Sequence, residues 1–224
     1  MNCTRLIALG VLGAAGRTDG LVAQVRGLPV RNAGVGTGVS IAADVGFPSA
    51  SAGKGLGLGA TATIGLGPIG LTGSVARFDP KGAGAAINSA GATANLKIFG
   101  GPLIPVSVTL QAGAAYSNET LTSMLAQKTW HAPVGLGLAL TIPNPVMSIK
   151  PWLAPRLDVT RTTLSSGGTA ASASTTDTHF GISGGVDLGF LNGLTIRAMY
   201  DRVNMGSQVN QSVLSFGLGF KVGT

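Results

Sequence analysis

The chain has 224 residues, the size of one domain, and its composition leans one way: 45% apolar, 10% charged, 36 glycines and a mean hydropathy of +0.41. Soluble domains carry roughly 25% charged residues, so too few remain here to cover a water-facing surface, and no apolar run of about 18 residues follows the N-terminus to supply a membrane helix. The formal charge of +7 is scattered, with no basic stripe or aromatic-interleaved patch, which excludes nucleic acid as a partner; without helices, only a closed barrel can spend such a sequence on lipid.

In chain order, Arg5 followed by apolar Leu6 to Ala15 has the charged start and apolar centre of a secretory signal. Cleavage is expected after Leu21-Val22-Ala23, with Gly13-Ala14-Ala15 as a shorter alternative. Residues 1–23 are then a signal peptide, 24–33 a periplasmic N-terminal segment and 34–224 a barrel. Cys3, the only cysteine, lies in that leader, so the mature chain has no disulfide or Cys-based metal site.

From Val35 onward, segments of about eleven residues alternate with a period of two, which means β-strand. Val35, Val39, Ile41 and Val45 share one phase against Gly36, Gly38, Ser40, Ala42 and Asp44. Leu56 to Leu66, Val106 to Tyr116 and Val134 to Ile142 repeat the pattern, and similar segments begin near Ile69, Ala90, Ile149, His179, Leu194 and Gln211, making ten. Eleven residues at about 3.3 Å, tilted about 40°, rise about 28 Å, close to the apolar band of a membrane barrel. Connections alternate too. Short ones (Gly67-Pro68, Gly100 to Pro105, Pro143 to Ser148, Leu191 to Gly193) fall between long polar ones (Pro48 to Gly55, Asp79 to Ser89, Ser117 to His131, Ser165 to Thr178, Arg202 to Asn210). That asymmetry belongs to transmembrane barrels, with the long loops outside. The expected fold is all-β: a transmembrane, antiparallel, up-and-down barrel of about ten strands.

A soluble barrel would turn its apolar phase inward and leave chargeable residues in water. Here the opposite phase is glycine, alanine, serine and threonine with a few ions, Asp44, Lys97, Arg156, Asp158, Asp187 and Arg197, which suits a narrow interior sealed by a polar network. The aromatics gather where strands meet connections: Phe47, Phe78, Tyr116, Trp130, Phe180 and Tyr200 at the long-loop edge, Phe99, Phe190 and Phe220 at the short-turn edge. Two interfacial girdles are expected. Arg77 and Arg161 fall on the outward phase at the long-loop ends, at lipid-headgroup level, where a guanidinium can contact phosphate.

At the C-terminus, Ser215 to Val222 resembles the last-strand assembly signal of bacterial outer-membrane proteins, with Gly217, Phe220 and Val222 at its glycine and apolar positions. With the alternation before it, residues 34–224 resemble the small single-chain barrels of the outer-membrane β-barrel superfamily. One departure is that the chain continues through Gly223 to Thr224 instead of ending on an aromatic. The resemblance implies a Gram-negative outer-membrane location, insertion by the assembly machinery, and contact with bilayer and lipopolysaccharide. It implies no activity.

His131 and His179 open the sixth and eighth segments, near Asp177 and level with Asp79 and Asp201. This resembles the rim Asp and His residues of omptin-type proteases, also ten-stranded, although those are longer and no matching motif is present. Two histidines far apart lack metal-ligand spacing, so no catalytic, cofactor or metal residue is assigned. The sequence supports a non-enzymatic barrel with a surface-interaction or envelope-integrity role. A narrow channel for small solutes is the alternative, and a rim enzyme acting on peptides or lipids is the third reading.

Overall fold

The computed structural model describes residues 25–82, 85–101, 104–122, 125–166, 172–206 and 210–222. The expected signal peptide lies outside the described residues. What is described forms one antiparallel sheet: β1 Gly38–Pro48, β2 Gly55–Leu66, β3 Ile69–Pro80, β4 Ile87–Phe99, β5 Val106–Thr122, β6 Leu125–Leu140, β7 Met147–Ser166, β8 Ser172–Phe190, β9 Leu194–Asn204 and β10 Asn210–Val222. A two-residue piece, Ile142–Pro143, prolongs β6 along β7. β10 pairs back onto β1, from Val39 opposite Val222 to Pro48 opposite Val213, and so closes a ten-stranded barrel.

Closure removes sheet edges, and the period of two then sorts side chains between two environments. The apolar phase points outward: Ile41 is 60% and Leu218 55% exposed, and Leu56, Leu71, Leu136 and Leu157 are exposed with them. The other phase points inward, where Asp44, Thr109, Gln111, Ser183 and Ser215 are buried. Such an outer face would cost about 25 cal/mol per Å² in water; in hydrocarbon it is the solvated face.

Two prolines inside strands interrupt the ladder, because proline has no N–H to donate. At Pro133 the β5–β6 pairing skips from Ala112–Val134 to Ala115–His131. Around Pro155 the β6–β7 pairing skips from Gly135–Arg156 to Leu138–Leu153. A register shift between Lys97 and Phe99 brings Phe99 opposite Val108, so that Ile98 and Phe99 are both exposed.

Two expectations about connections are corrected. β5, β6, β7 and β8 run for 17, 16, 20 and 19 residues, whereas the other strands have 11 to 13. The segments Ser117 to His131 and Ser165 to Thr178 are therefore mostly strand, with β6 beginning at Leu125 and β8 at Ser172. Along β8, residues 172–178 stand beyond the apolar belt and are exposed on both faces, so nothing selects an alternation there, whereas on β5 and β6 the inward Ser117, Gln127 and Thr129 stay buried. The four strands project from the barrel as a sheet.

The third correction concerns the start of the barrel. Strand β1 begins at Gly38, whose φ of 84° breaks the extended run, and not near Val35. Residues 25–35, expected on the periplasmic side as far as residue 33, lie inside the barrel, and Gly36 and Thr37 emerge from it: Val25, Leu28, Val30, Asn32, Ala33 and Val35 are all buried, Val30 completely. The segment enters at the end that carries the projecting sheet, where Arg26 meets Glu119, and leaves at the opposite end, where Gly36 packs against Gly65. Two of three interior apolar clusters depend on it, Val25 and Leu28 with Ala76 and Ala115, and Ala33 with Ala139, Trp152, Ala154 and Met199.

Candidate functional site in the lumen and at its rim

The inward phase places the charges where one strand can reach another. On β7, Arg156 and Asp158 are two residues apart and so share a face. Arg156 Nε donates to Asp158 Oδ1 at 3.0 Å, and its Nη2 donates to both oxygens of Asp201 on β9, at 2.8 and 3.0 Å. His131 Nε2 on β6 lies 3.1 Å from Asp158 Oδ1. Asp201 Oδ2 also accepts the backbone N–H of Val30 at 2.9 Å, which ties this network to the lumen segment.

A second cluster lies around Asp187 on β8. It pairs with Arg31 of the segment and accepts the Trp152 indole N–H at 3.3 Å. Nearby, Arg197 Nε stands 2.8 Å from Asp44 Oδ1. Gly217 on β10 makes room for that pair, since a Cβ there would overlap the Asp44 carboxylate. At the projecting end, Arg26 Nη2 donates to Glu119 Oε2 at 2.7 Å. Between wall and segment the interior retains a cavity of about 50 Å³, room for a few waters.

Of the six interior ions expected from the sequence, Asp44, Arg156, Asp158, Asp187 and Arg197 meet partners in these clusters. Lys97 faces inward, half-buried, and makes no ion pair among the described residues. The residues that complete the clusters were not read as interior from the sequence: Arg26, Arg31 and Glu119, together with His131, Trp152 and Asp201. Strand parity is the signal for the last three, because each shares its phase with a recognised interior ion on its own strand or a neighbour. His131 is a buried partner of Asp158 and not a rim residue. Asp201, also expected at the rim, is fully engaged by Arg156 and Val30. Asp177 is exposed on the projecting sheet and His179 is half-buried opposite Asp158, so His179, Asp177 and Asp201 do not converge.

On the outer face, Phe47, Phe99 and Phe220 are exposed at or near strand ends, whereas Trp130, Phe180 and Tyr200 are exposed within their strands, with Tyr116 and Phe190 half-buried. Tyr116 packs against Trp130 with centroids 5.1 Å apart, and Phe47 meets Phe216 edge-on at 6.5 Å. Phe78 is the correction. It is 2% exposed and packs inside against Ala52, Ile87 and Val213. Arg77 and Phe78 are consecutive on one strand, so only one of them can face lipid.

Arg77 is that residue. It is exposed beside Asn88, and the register carries this row through Asn118 to Lys128 and Thr163. Arg161 is exposed one row away, directly across from Trp130. Two cations, Arg77 and Lys128, thus lie in the row beyond the aromatic pair and Arg161 lies level with it. In the last strand, Phe220 and Val222 point outward and are exposed.

The family model "Outer membrane protein beta-barrel domain" matches residues 8–221. Among curated proteins no relative matches the sequence. Solved structures with similarity include the N-terminal β-barrel domain of Pseudomonas aeruginosa OprF, 14% identical with a TM-score of 0.39, over 82% of this chain and 96% of that one. Ail, the attachment invasion locus protein of Yersinia pestis, is 13% identical with a TM-score of 0.42, over 84% of this chain and 100% of that one. The outer membrane protease OmpT of Escherichia coli is 8% identical with a TM-score of 0.44, over 83% of this chain and 94% of that one. These likenesses are too distant to carry a residue or an activity across. The match over nearly the whole chain, joined to a closed barrel with its apolar phase outward, is what places it: the chain belongs to the outer-membrane β-barrel family and resides in the bacterial outer membrane.

Proposed function

We propose that this barrel is non-enzymatic and works at the cell surface through the sheet that β5 to β8 raise above the outer leaflet. The observation that carries the reading is the overrun of those four strands. Their extra residues, about six at roughly 3.3 Å each and tilted about 40°, lift a sheet on the order of 15 Å clear of the membrane. Its surface is Ser/Thr-rich and exposed along residues 172–178. Its β8 edge is free among the described residues, because β9 ends at Asn204 opposite Phe180. A free edge offers main-chain donors and acceptors to an extended segment of a partner protein. Arg77, Lys128 and Arg161, around Tyr116 and Trp130, would hold phosphates of lipopolysaccharide and fix the base of the sheet in the outer leaflet. Gly217, Phe220 and Val222 would be read by the assembly machinery during insertion.

Lysines on an edge strand discourage strand addition. Cells displaying the full chain are therefore compared with cells displaying Ser174→Lys/Thr176→Lys, for adhesion to immobilised extracellular-matrix protein and for self-sedimentation. The reading predicts at least a tenfold loss in one assay at equal surface level. Equal behaviour of the two strains in both assays contradicts it.

A further inference from the structure

The inner wall of β1, β2 and β6 carries glycines at Gly46, Gly57, Gly59, Gly65 and Gly137, where side chains would normally fill a narrow barrel. A Cβ at each would come closer than 3.0 Å to the lumen segment: Gly46 and Gly57 to the Gly27 carbonyl, Gly59 to the Leu28 side chain, Gly65 to the Gly36 carbonyl and Gly137 to Asn32. The wall is hollowed along the path of one peptide. Beside and across from this hollow, buried side chains hold the peptide. Ser89 Oγ accepts from Arg26 N at 3.0 Å, Asp201 Oδ2 from Val30 N at 2.9 Å, and Gln111 Nε2 donates to Arg31 O at 2.9 Å. Thr109 Oγ1 donates to Asn32 Oδ1 at 2.7 Å, while Glu119 and Asp187 take the two arginines.

From this we infer that the lumen is a binding site for an extended peptide, occupied in cis by residues 25–35, and that this occupancy is what closes the pore. The ligand class follows from the contacts: an extended segment with two arginines separated by four residues, small or apolar between them, and an asparagine after the second. Pro29 suits it, since proline fixes its own φ and holds the preceding residue extended. Occupancy is reversible because the segment shares no strand ladder with the wall. It can leave without breaking a rung of the barrel, a local opening that requires less than global unfolding. The inference concerns the lumen and is independent of the surface role proposed above.

The test is single-channel recording in planar bilayers with the full-length chain. The native protein is expected to give no steps. Arg26→Glu/Arg31→Glu, which sets the segment against Glu119 and Asp187, is expected to give stable steps. A synthetic peptide of residues 24–37 at micromolar concentration should block at least nine-tenths of that current, and a scrambled peptide should not. Gly59→Leu with Gly137→Leu attacks the same contact from the wall with the segment intact, so it serves if the arginine variant does not insert. Arg26→Glu combined with Glu119→Arg should restore closure at that end. Three results overturn the inference: steps from the native protein equal to those of the variants, current that the native peptide does not block, or silence in a variant whose segment is shown by proteolysis to have left the lumen.

Discussion

The two sides of the barrel solve the filling problem in opposite ways. The inner face of β1 and β2 is nearly bare, with Gly46, Gly57, Gly59 and Gly65 letting a peptide backbone lie directly on the wall. The inner face of β5 to β9 is crowded instead with Gln111, His131, Trp152, Arg156, Asp158, Asp187, Arg197 and Asp201, several of them reaching toward that peptide. Neither side closes a ten-stranded barrel alone. The lumen segment is the piece that fits both: most of its glycine contacts lie on β1 and β2 and its hydrogen bonds on β4, β5 and β9, with Gly137 on β6 the glycine that meets it beside Thr109.

That division predicts unequal sensitivity. The largest effect belongs to Asp201→Ala on the charged side, which strips Arg156 of a buried partner and Val30 N of its acceptor. Breaking a buried pair costs about 3–5 kcal/mol, and urea unfolding followed by gel mobility of the unboiled protein should register it. Next is Gly57→Val on the bare side, where overpacking costs about 1–3 kcal/mol and should raise hydrogen exchange in residues 25–30. Gly73→Val is its control: Gly73 faces lipid with nothing within 4 Å of an added Cβ, and neither stability nor exchange should fall. Equal responses at Gly57 and Gly73 would break the comparison.

A smaller change is expected from Glu119→Gln, whose partner Arg26 sits at the entrance: about 1 kcal/mol, confined to exchange of the first segment residues. Smallest in stability is Arg77→Gln/Arg161→Gln on the outer face, within about 0.5 kcal/mol. The same double variant should lower lipopolysaccharide co-purification; unchanged co-purification removes the headgroup contact from the proposal.

How much of this was legible in the sequence follows from what imposes a period. Hydrocarbon outside and packing inside force alternation on every residue within the belt, so strand number, apolar phase and the interior position of Asp44, Arg156, Asp158, Asp187 and Arg197 could be read. Where water lies on both sides, as along 172–178, no period is imposed and strand looks like loop; along 117–129 the buried positions Ser117, Gln127 and Thr129 and the exposed positions Asn118 and Lys128 are all polar, so the alternation of burial leaves no hydropathy signal. His131 was misplaced for that reason, its strand having begun six residues earlier at Leu125. Phe78 was readable in principle, because its neighbour Arg77 already occupied the outward phase. The lumen segment has no period at all. Val25, Leu28, Val30 and Val35 are spaced irregularly among Arg26, Arg31 and Asn32, and the only trace of its place is the glycine hollow far along the chain.

The orientation of the apolar phase is tested most directly by spin labels placed singly in a Cys3→Ser background and reconstituted in lipid. Labels at Ile41, Leu71, Leu157 and Leu218 should be relaxed strongly by oxygen and weakly by a water-soluble nickel complex, while labels at Thr109, Ser183 and Ser215 should be shielded from both. Strong nickel relaxation at the four apolar positions, or oxygen access at the three inner ones, would contradict a barrel whose outer solvent is lipid and whose lumen is filled.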